Sequence, residues 1–401
     1  MRKRNFFTAC LFFAGLVTLL RVHPPSHVYD AGIDAFEHVV DRDEEEVQSA
    51  SNDTLLSLPP SPPPPSPSPS PSQLTPPPPQ KVYKFFDAGV AYHDMNFTCP
   101  VPWEWTTNQE EAVVLWTNVL QFAGNVKNTT RTRGELYAFM SLESAVYYPY
   151  TLDVKEEQGY NFTVDYRIFD DHPRGKADIP AVYLTNPTMD TFGFNFRAPP
   201  KLPKRSDALM AVFIKNCSPR NDRMTILRDM MKGMRVHSYG GCENNAMEPA
   251  NPDGLGWQEA KQKTASDYYF TFAAENSFDM SYVTEKVYDA FAAGSVPVYY
   301  GAPNINRFIP HPSSIINVKD FNSTGDLVEY LKQVAANETL YLQYFDWKKK
   351  PFAADFMRVL RLATRTVQCR MAMLLAGLDF EKDQQAFEVH PAENESIRWM
   401  S

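Results

Sequence analysis

Charged residues at three places in this 401-residue chain stand where charge can do chemistry. Glu285 and Lys286 close the run Tyr282-Val283-Thr284-Glu285-Lys286, and Val287, Ala290 and Phe291 continue it at helical spacing. A helix N-terminus carries unpaired N–H groups and partial positive charge, so a lysine beside it suits a diphosphate and offsets the negative charge that grows as that group departs. Glu285 is placed to accept hydrogen bonds from ribose hydroxyls, and Tyr282 to pack on a nucleoside. Two arginines, Arg220 and Arg223, follow the apolar stretch 208–214. A guanidinium keeps its charge and grips phosphate oxygens in pairs. Glu143 follows another apolar stretch and is followed by Ser144. A hydroxyl attacking a carbon loses its proton as the bond forms, and one carboxylate suffices as general base. Taken singly, each residue also has a plain structural reading: a first-turn acid, a surface arginine, a glutamate at a strand end.

The elements around them alternate. Residues 268–272 are aromatic and apolar and read as a buried strand, followed by the polar loop Glu275-Asn276-Ser277. After the helix comes Gly294, where a C-terminal glycine belongs, and a second buried strand over 295–300. Upstream, 112–118 and 134–142 lead to Glu143; 208–214 is a strand, 224–231 a helix, and 235–239 a strand closed by Gly240-Gly241. Between the two series, residues 199–205 carry three prolines and three bases and read as a linker. Such alternation on both sides of a linker predicts two doubly wound α/β domains, with polar motifs at the carboxyl ends of the strands. Residues 326–336 and 351–375 read as further helix with a packing role.

The ordered series Glu275-Asn276-Ser277, Tyr282 to Lys286, a small-residue helix, and Val296-Pro297-Val298-Tyr299-Tyr300-Gly301 resembles the donor-site signature of the α1,3-fucosyltransferases. Those enzymes move L-fucose from GDP-fucose to a glycan hydroxyl. Ala274 replaces an aromatic and Ser281 an acid of the family pattern. The likeness spans about 135–373 and is strongest over 207–310. It implies a GT-B arrangement, two Rossmann-like domains facing a cleft, and an inverting reaction. It maps the general base onto Glu143 and the diphosphate-binding arginine onto Arg223 rather than Arg220. Lys286, Glu285, Tyr282, Asn276 and Asn216 then line the GDP-fucose site, with Tyr166 of the Tyr166-Arg167 pair nearby. Lys215-Asn216-Cys217, Ser238 to Cys242, and Gly301 to Ile305 look most like the plant-type members, which fucosylate the Asn-linked GlcNAc of N-glycan cores. Those members carry a C-terminal CxxC where this chain has Cys369-Arg370-Met371-Ala372. Related transferases acting on outer-chain or protein-linked acceptors, and a glycan-binding protein without activity, are the rival readings. Retention of Glu143, Arg223 and Lys286 together favours an enzyme.

Residues 5–20 are uncharged, preceded by Arg2-Lys3-Arg4 and followed by Arg21. This stretch is short for a span, yet no small-x-small cleavage site follows before Pro24, so an uncleaved signal anchor over 1–21 is expected, its N-terminus cytosolic. The resemblance implies the same type II arrangement in the Golgi membrane. Residues 22–80 form an acidic, Pro/Ser-rich stem; the polyproline II tract over 59–79 would span about 65 Å. Domains are expected over 81–205, on the acceptor side, and 206–378, holding GDP-fucose, with a polar tail over 379–401. The formal net charge is −9; removing the stem (nine acids, one base) and the four anchor bases leaves −5 for 81–401, which gives no footprint for nucleic acid. Eight Asn-x-Ser/Thr sequons agree with a lumenal domain. Cys10 lies in the anchor; Cys99, Cys217, Cys242 and Cys369 allow three complete pairings, and Cys217 with Cys242 is expected because both sit near the donor-site loops. Cysteine spacing is wrong for zinc, and no Asp-x-Asp stands at a strand end, so no cofactor is expected beyond the GDP-fucose donor.

Overall fold

Two runs with no polar face, Phe270–Ala274 (β9) and Val296–Tyr300 (β10), pair in parallel as interior strands, every residue of both buried. That is how strands covered on both faces read in sequence. The computed structural model describes residues 81–87, 99–119, 124–152, 154–169, 178–184, 199–251, 254–363 and 365–382. The expected anchor and the whole of the expected stem lie outside the described residues, as does most of the tail. No helix among the described residues is long and apolar enough to cross a membrane.

Both sheets are parallel throughout. The first has the order β2-β1-β3-β4-β5-β6, from β1 (Tyr83–Asp87), β2 (Trp103–Thr106), β3 (Val114–Asn118), β4 (Leu136–Ser141), β5 (Phe162–Asp165) and β6 (Asp178–Pro180). The second has the order β11-β10-β9-β7-β8, adding β7 (Met210–Val212), β8 (Val236–Ser238) and β11 (Ile316–Asn317). The second is the 2-1-3-4-5 doubly wound order, and the first extends it by one strand. The expected α/β class and paired doubly wound domains are therefore present.

Helices cover both faces of the second sheet. On one side, α2 (Arg223–Gly233) and α5 (Thr324–Ala336) pack Leu227, Met230, Leu327 and Leu331 against Met210, Phe270 and Val298. On the other, α4 (Glu285–Ala292) and α7 (Ala354–Ala363) bury Val287, Phe291, Phe356 and Val359, joined by Ile168, Phe169 and Leu184 from the first half of the chain. Helix α4 ends at Gly294, whose φ of 62° is the left-handed turn that glycine adopts freely.

Three differences from the sequence reading have physical causes. Strand β9 lies two residues later than 268–272, because Ala273 and Ala274, poor strand formers, pair with Tyr299 and Tyr300 and are drawn into the sheet. The 199–205 linker is pinned rather than loose: Lys204 is buried and donates to the carbonyls of Ser266 (2.7 Å) and Gly294 (2.8 Å). Helix α8 (Val367–Leu375), expected with the C-terminal domain, packs Met371, Ala372 and Met373 on the first sheet beside Phe85 and Trp116. A Cys99–Cys369 disulfide fixes it there, and Cys217 pairs with Cys242.

Candidate active site

In the second sheet the strand order reverses between β7 and β9, and it is beyond the carboxyl ends of such a pair that doubly wound sheets form their ligand crevice. Arg223, the first residue of α2 (with α1 at Val154–Gln158 and α3 at Trp257–Ala265), bridges that point. Its guanidinium donates 2.8 Å to the carbonyl of Ala274, the last residue of β9, and 2.8 Å to that of Asn216, beyond β7. The side chain is only 2% exposed, its Nε has no hydrogen-bond partner, and no carboxylate among the described residues pairs with it. Burial lowers its pKa, and the Glu275 charge pulls the other way. A buried cation held by carbonyls rather than neutralised by an acid is poised for an anion.

Lys286 enters the same crevice. Its Nζ lies 2.7 Å from Thr284 Oγ1, 3.1 Å from Glu275 Oε2 and 3.4 Å from Glu285 Oε1. Burial pushes its pKa down, but the charges of Glu275 and Glu285 outweigh that and hold it above the ordinary lysine value; Arg223 is close enough to oppose them. Burial likewise raises Glu285, yet Lys286 and Lys261 win and bring its carboxyl to about 2. Thr284 makes no side-chain cap to the first turn of α4.

Glu275 was read only as part of a polar loop, but it organises this corner. It is wholly buried and accepts from the Thr284 N–H (2.8 Å) and hydroxyl (2.8–2.9 Å), so the end of β9 pins the start of α4. Gly301 makes room for it, since a Cβ there would stand 2.7 Å from Glu275 Cγ. Its burial had no local signal, because it depends on a neighbouring strand and helix.

Glu143 follows β4 and meets the second half of the chain through Tyr282, whose hydroxyl lies 3.4 Å from Glu143 Oε2. Tyr282 is not an open stacking surface. Its ring is buried against Tyr166 (5.1 Å) and Tyr183 (6.2 Å), burial and the surrounding carboxylates raise its pKa, and Asn276 hydrogen-bonds to it. Tyr183 donates to the carbonyl of Leu142, and Ser141 Oγ to that of Glu143 (3.1 Å), so the backbone around Glu143 is held on both sides.

Tyr166 lies behind Glu143 rather than open to the crevice: its hydroxyl accepts from the Ala145 N–H (2.8 Å) and donates to Asp279 Oδ2 (2.6 Å). Asn216 is exposed, and its amide donates to the Tyr147 hydroxyl at 3.2 Å. Arg220, the alternative arginine, stands apart with its guanidinium 5.4 Å over the Tyr147 ring. The geometry thus brings Arg223 and Lys286 within electrostatic reach of each other and of the Glu275 and Glu285 carboxylates, and links Glu143, Tyr282, Asn276 and Tyr166.

An α/β protein of two parallel sheets, with a guanidinium and an ammonium near the switch point of one and a carboxylate reaching Tyr282 from the other, is the class these features define. Residues 203–387 match the family described as "Glycosyltransferase family 10 (fucosyltransferase) C-term". The "Putative fucosyltransferase-like protein" of Arabidopsis thaliana is 31% identical over 255 residues, covering 63% of this chain and 45% of that protein. The "4-galactosyl-N-acetylglucosaminide 3-alpha-L-fucosyltransferase 9" of Rattus norvegicus is 32% identical over 227 residues, 56% of each. The chain therefore spans about half the length of the curated relatives it matches. A solved structure, "Crystal Structure of alpha1,3-Fucosyltransferase with GDP", is similar at a TM-score of 0.49 with 14% identity, covering 76% of this chain and 93% of that one.

Proposed function

We propose that this protein transfers L-fucose from GDP-fucose, in α1,3 linkage and with inversion, to a GlcNAc hydroxyl of a glycan. The observation that carries the reading is Arg223: a buried guanidinium without a carboxylate partner, at a sheet's switch point, next to Lys286. In this mechanism the acceptor oxygen attacks the anomeric carbon on the face opposite the diphosphate and its proton passes to a Glu143 oxygen. The bond from that carbon to the phosphate oxygen breaks, and its electron pair leaves with GDP. Arg223 and Lys286 offset the charge gathering on the leaving oxygens, which needs no divalent ion. In this reading Glu285 accepts hydrogen bonds from the ribose hydroxyls, and Asn216 and Asn276 line the edge of the site.

The core GlcNAc of an N-glycan is the acceptor that the plant-like motifs support. An outer-chain GlcNAc is the second reading, because a matched relative is named for a 4-galactosyl-N-acetylglucosaminide acceptor. Under either reading the catalytic part lies in the Golgi lumen behind an N-terminal anchor. The test incubates residues 77–401 with GDP-fucose and both glycan types, with and without EDTA, and follows fucosylated product and free GDP. Transfer that persists in EDTA and is lost in Glu143→Gln is expected. Absence of both transfer and GDP release refutes the enzyme, and loss in EDTA refutes metal independence.

A further inference from the structure

Asp279 is a carboxylate that the proposed chemistry leaves unused, yet it crosses from one half of the chain to the other. It belongs to the loop between β9 and α4, and its Oδ2 receives two hydrogen bonds from the first half, from Ser144 Oγ at 2.9 Å and Tyr166 Oη at 2.6 Å. Neither hydroxyl is idle on its other side. Tyr166 Oη accepts from the N–H of Ala145 (2.8 Å), and Ser144 Oγ from the N–H of Val146 (3.1 Å). Two backbone amides of the turn directly after Glu143 are therefore read, each through one hydroxyl, by a single carboxylate oxygen of the donor-side loop. Ser144 and Tyr166 are almost completely buried and Asp279 half-buried, so these bonds are partly shielded from water. A hydroxyl that accepts from an amide while donating to an anion is strengthened in both bonds. The same loop continues to Tyr282, whose hydroxyl faces Glu143 Oε2.

We propose that Asp279 is a positioning residue: through Ser144 and Tyr166 it fixes the turn that carries Glu143 relative to the donor crevice. This rests on the reading of Glu143 as general base. A base must stand within hydrogen-bond reach of the proton it takes, and a displacement of about 1 Å costs on the order of 100-fold. Asp279 touches neither Arg223 nor Lys286 among the described contacts, so its loss leaves the diphosphate grip intact.

The test compares Asp279→Ala, Asp279→Asn, Tyr166→Phe and Ser144→Ala in the 77–401 protein. It measures GDP affinity by calorimetry, kcat and acceptor KM for fucosyl transfer, and amide hydrogen exchange at Ala145 and Val146. Asp279→Ala is expected to lower kcat by about 10- to 100-fold, to leave the GDP Kd within about twofold, and to speed exchange at both amides. Tyr166→Phe should release Ala145 alone and Ser144→Ala should release Val146 alone, each with a smaller kcat loss. Combining either with Asp279→Ala should add little, as for members of one chain of contacts. Unchanged exchange and kcat in Asp279→Ala, or a fall in GDP affinity matching the fall in kcat, overturns the proposal. If the wild type transfers no fucose the enzyme reading fails, while the exchange measurement still decides whether Asp279 holds the turn. Should Asp279→Ala not fold, the two hydroxyl variants carry the same exchange test.

Discussion

Glu275 Oε2 lies 3.1 Å from Lys286 Nζ, with the carboxylate at the end of a strand and the ammonium in the first turn of the next helix. Glu275 is wholly buried, and the same carboxylate takes the Thr284 amide and hydroxyl. The lysine therefore arrives at the crevice already oriented and with its proton secured, and pays little side-chain entropy when an anion binds.

Breaking that pair by Glu275→Gln leaves a mostly buried ammonium with a weaker partner and the start of α4 without its carboxylate. A stability loss of about 3 kcal/mol is expected, read as a lower denaturant midpoint at unchanged m-value. Gly301→Ala presses on Glu275 from the opposite side and should cost about 1–3 kcal/mol in the same measurement.

Arg223→Lys keeps the charge but cannot span the two carbonyls and still present a fork. GDP binding by calorimetry is expected to weaken by at least about tenfold. Arg220→Lys, whose guanidinium stacks on the Tyr147 ring rather than bridging the two strand ends, should change it by less than about twofold.

Lys204 makes stability depend on pH. Burial lowers its pKa to about 7 in the folded protein, against an ordinary lysine value of 10.5, and its donors are met by two carbonyls rather than an acid. Between about 7 and 10.5 the unfolded chain holds the proton that the folded chain has released. Stability from this group therefore rises with pH across that window, by up to about 1.4 kcal/mol per pH unit, and is flat below it. Lys204→Met should abolish that rise in denaturation curves collected from pH 7 to 10.

Replacing Cys99 and Cys369 by serine frees α8 from the first sheet and removes a cross-link between residues 270 apart in sequence. A loss of about 4 kcal/mol is expected by chemical denaturation. GDP affinity measured well below the transition should stay unchanged, since the crevice is built from the other sheet.

How far the sequence reveals this site follows the reach of each interaction. Arg223, Lys286 and Glu285 were legible because a strand end and a helix start announce themselves within a few residues. The burial of Glu275 was not legible, because it needs Tyr300 to take its amide at 2.8 Å and Thr284 to cover its oxygens. Asp279 could not be singled out at all: its partners are 135 and 113 residues away, and only the docking of two sheets brings them near. Tyr282 misled for a related reason. An aromatic ring at a helix entrance suits a nucleoside, but the Tyr282 ring is buried in T-shaped contacts with Tyr166 and Tyr183. The destination of α8 was equally hidden, since its Met and Ala residues suit either sheet.

The return of α8 to the first sheet also makes the two halves inseparable at their apparent boundary. A fragment cut after the 199–205 linker would carry Val367–Leu375 with its apolar residues uncovered, and its partner would lose the helix that seals Phe85 and Trp116. Each fragment would expose core to solvent and associate or precipitate. The chain behaves as a clasp: the last α-helix among the described residues closes the sheet that holds their first strand, and neither half is a unit for expression, crystallisation or exchange between relatives.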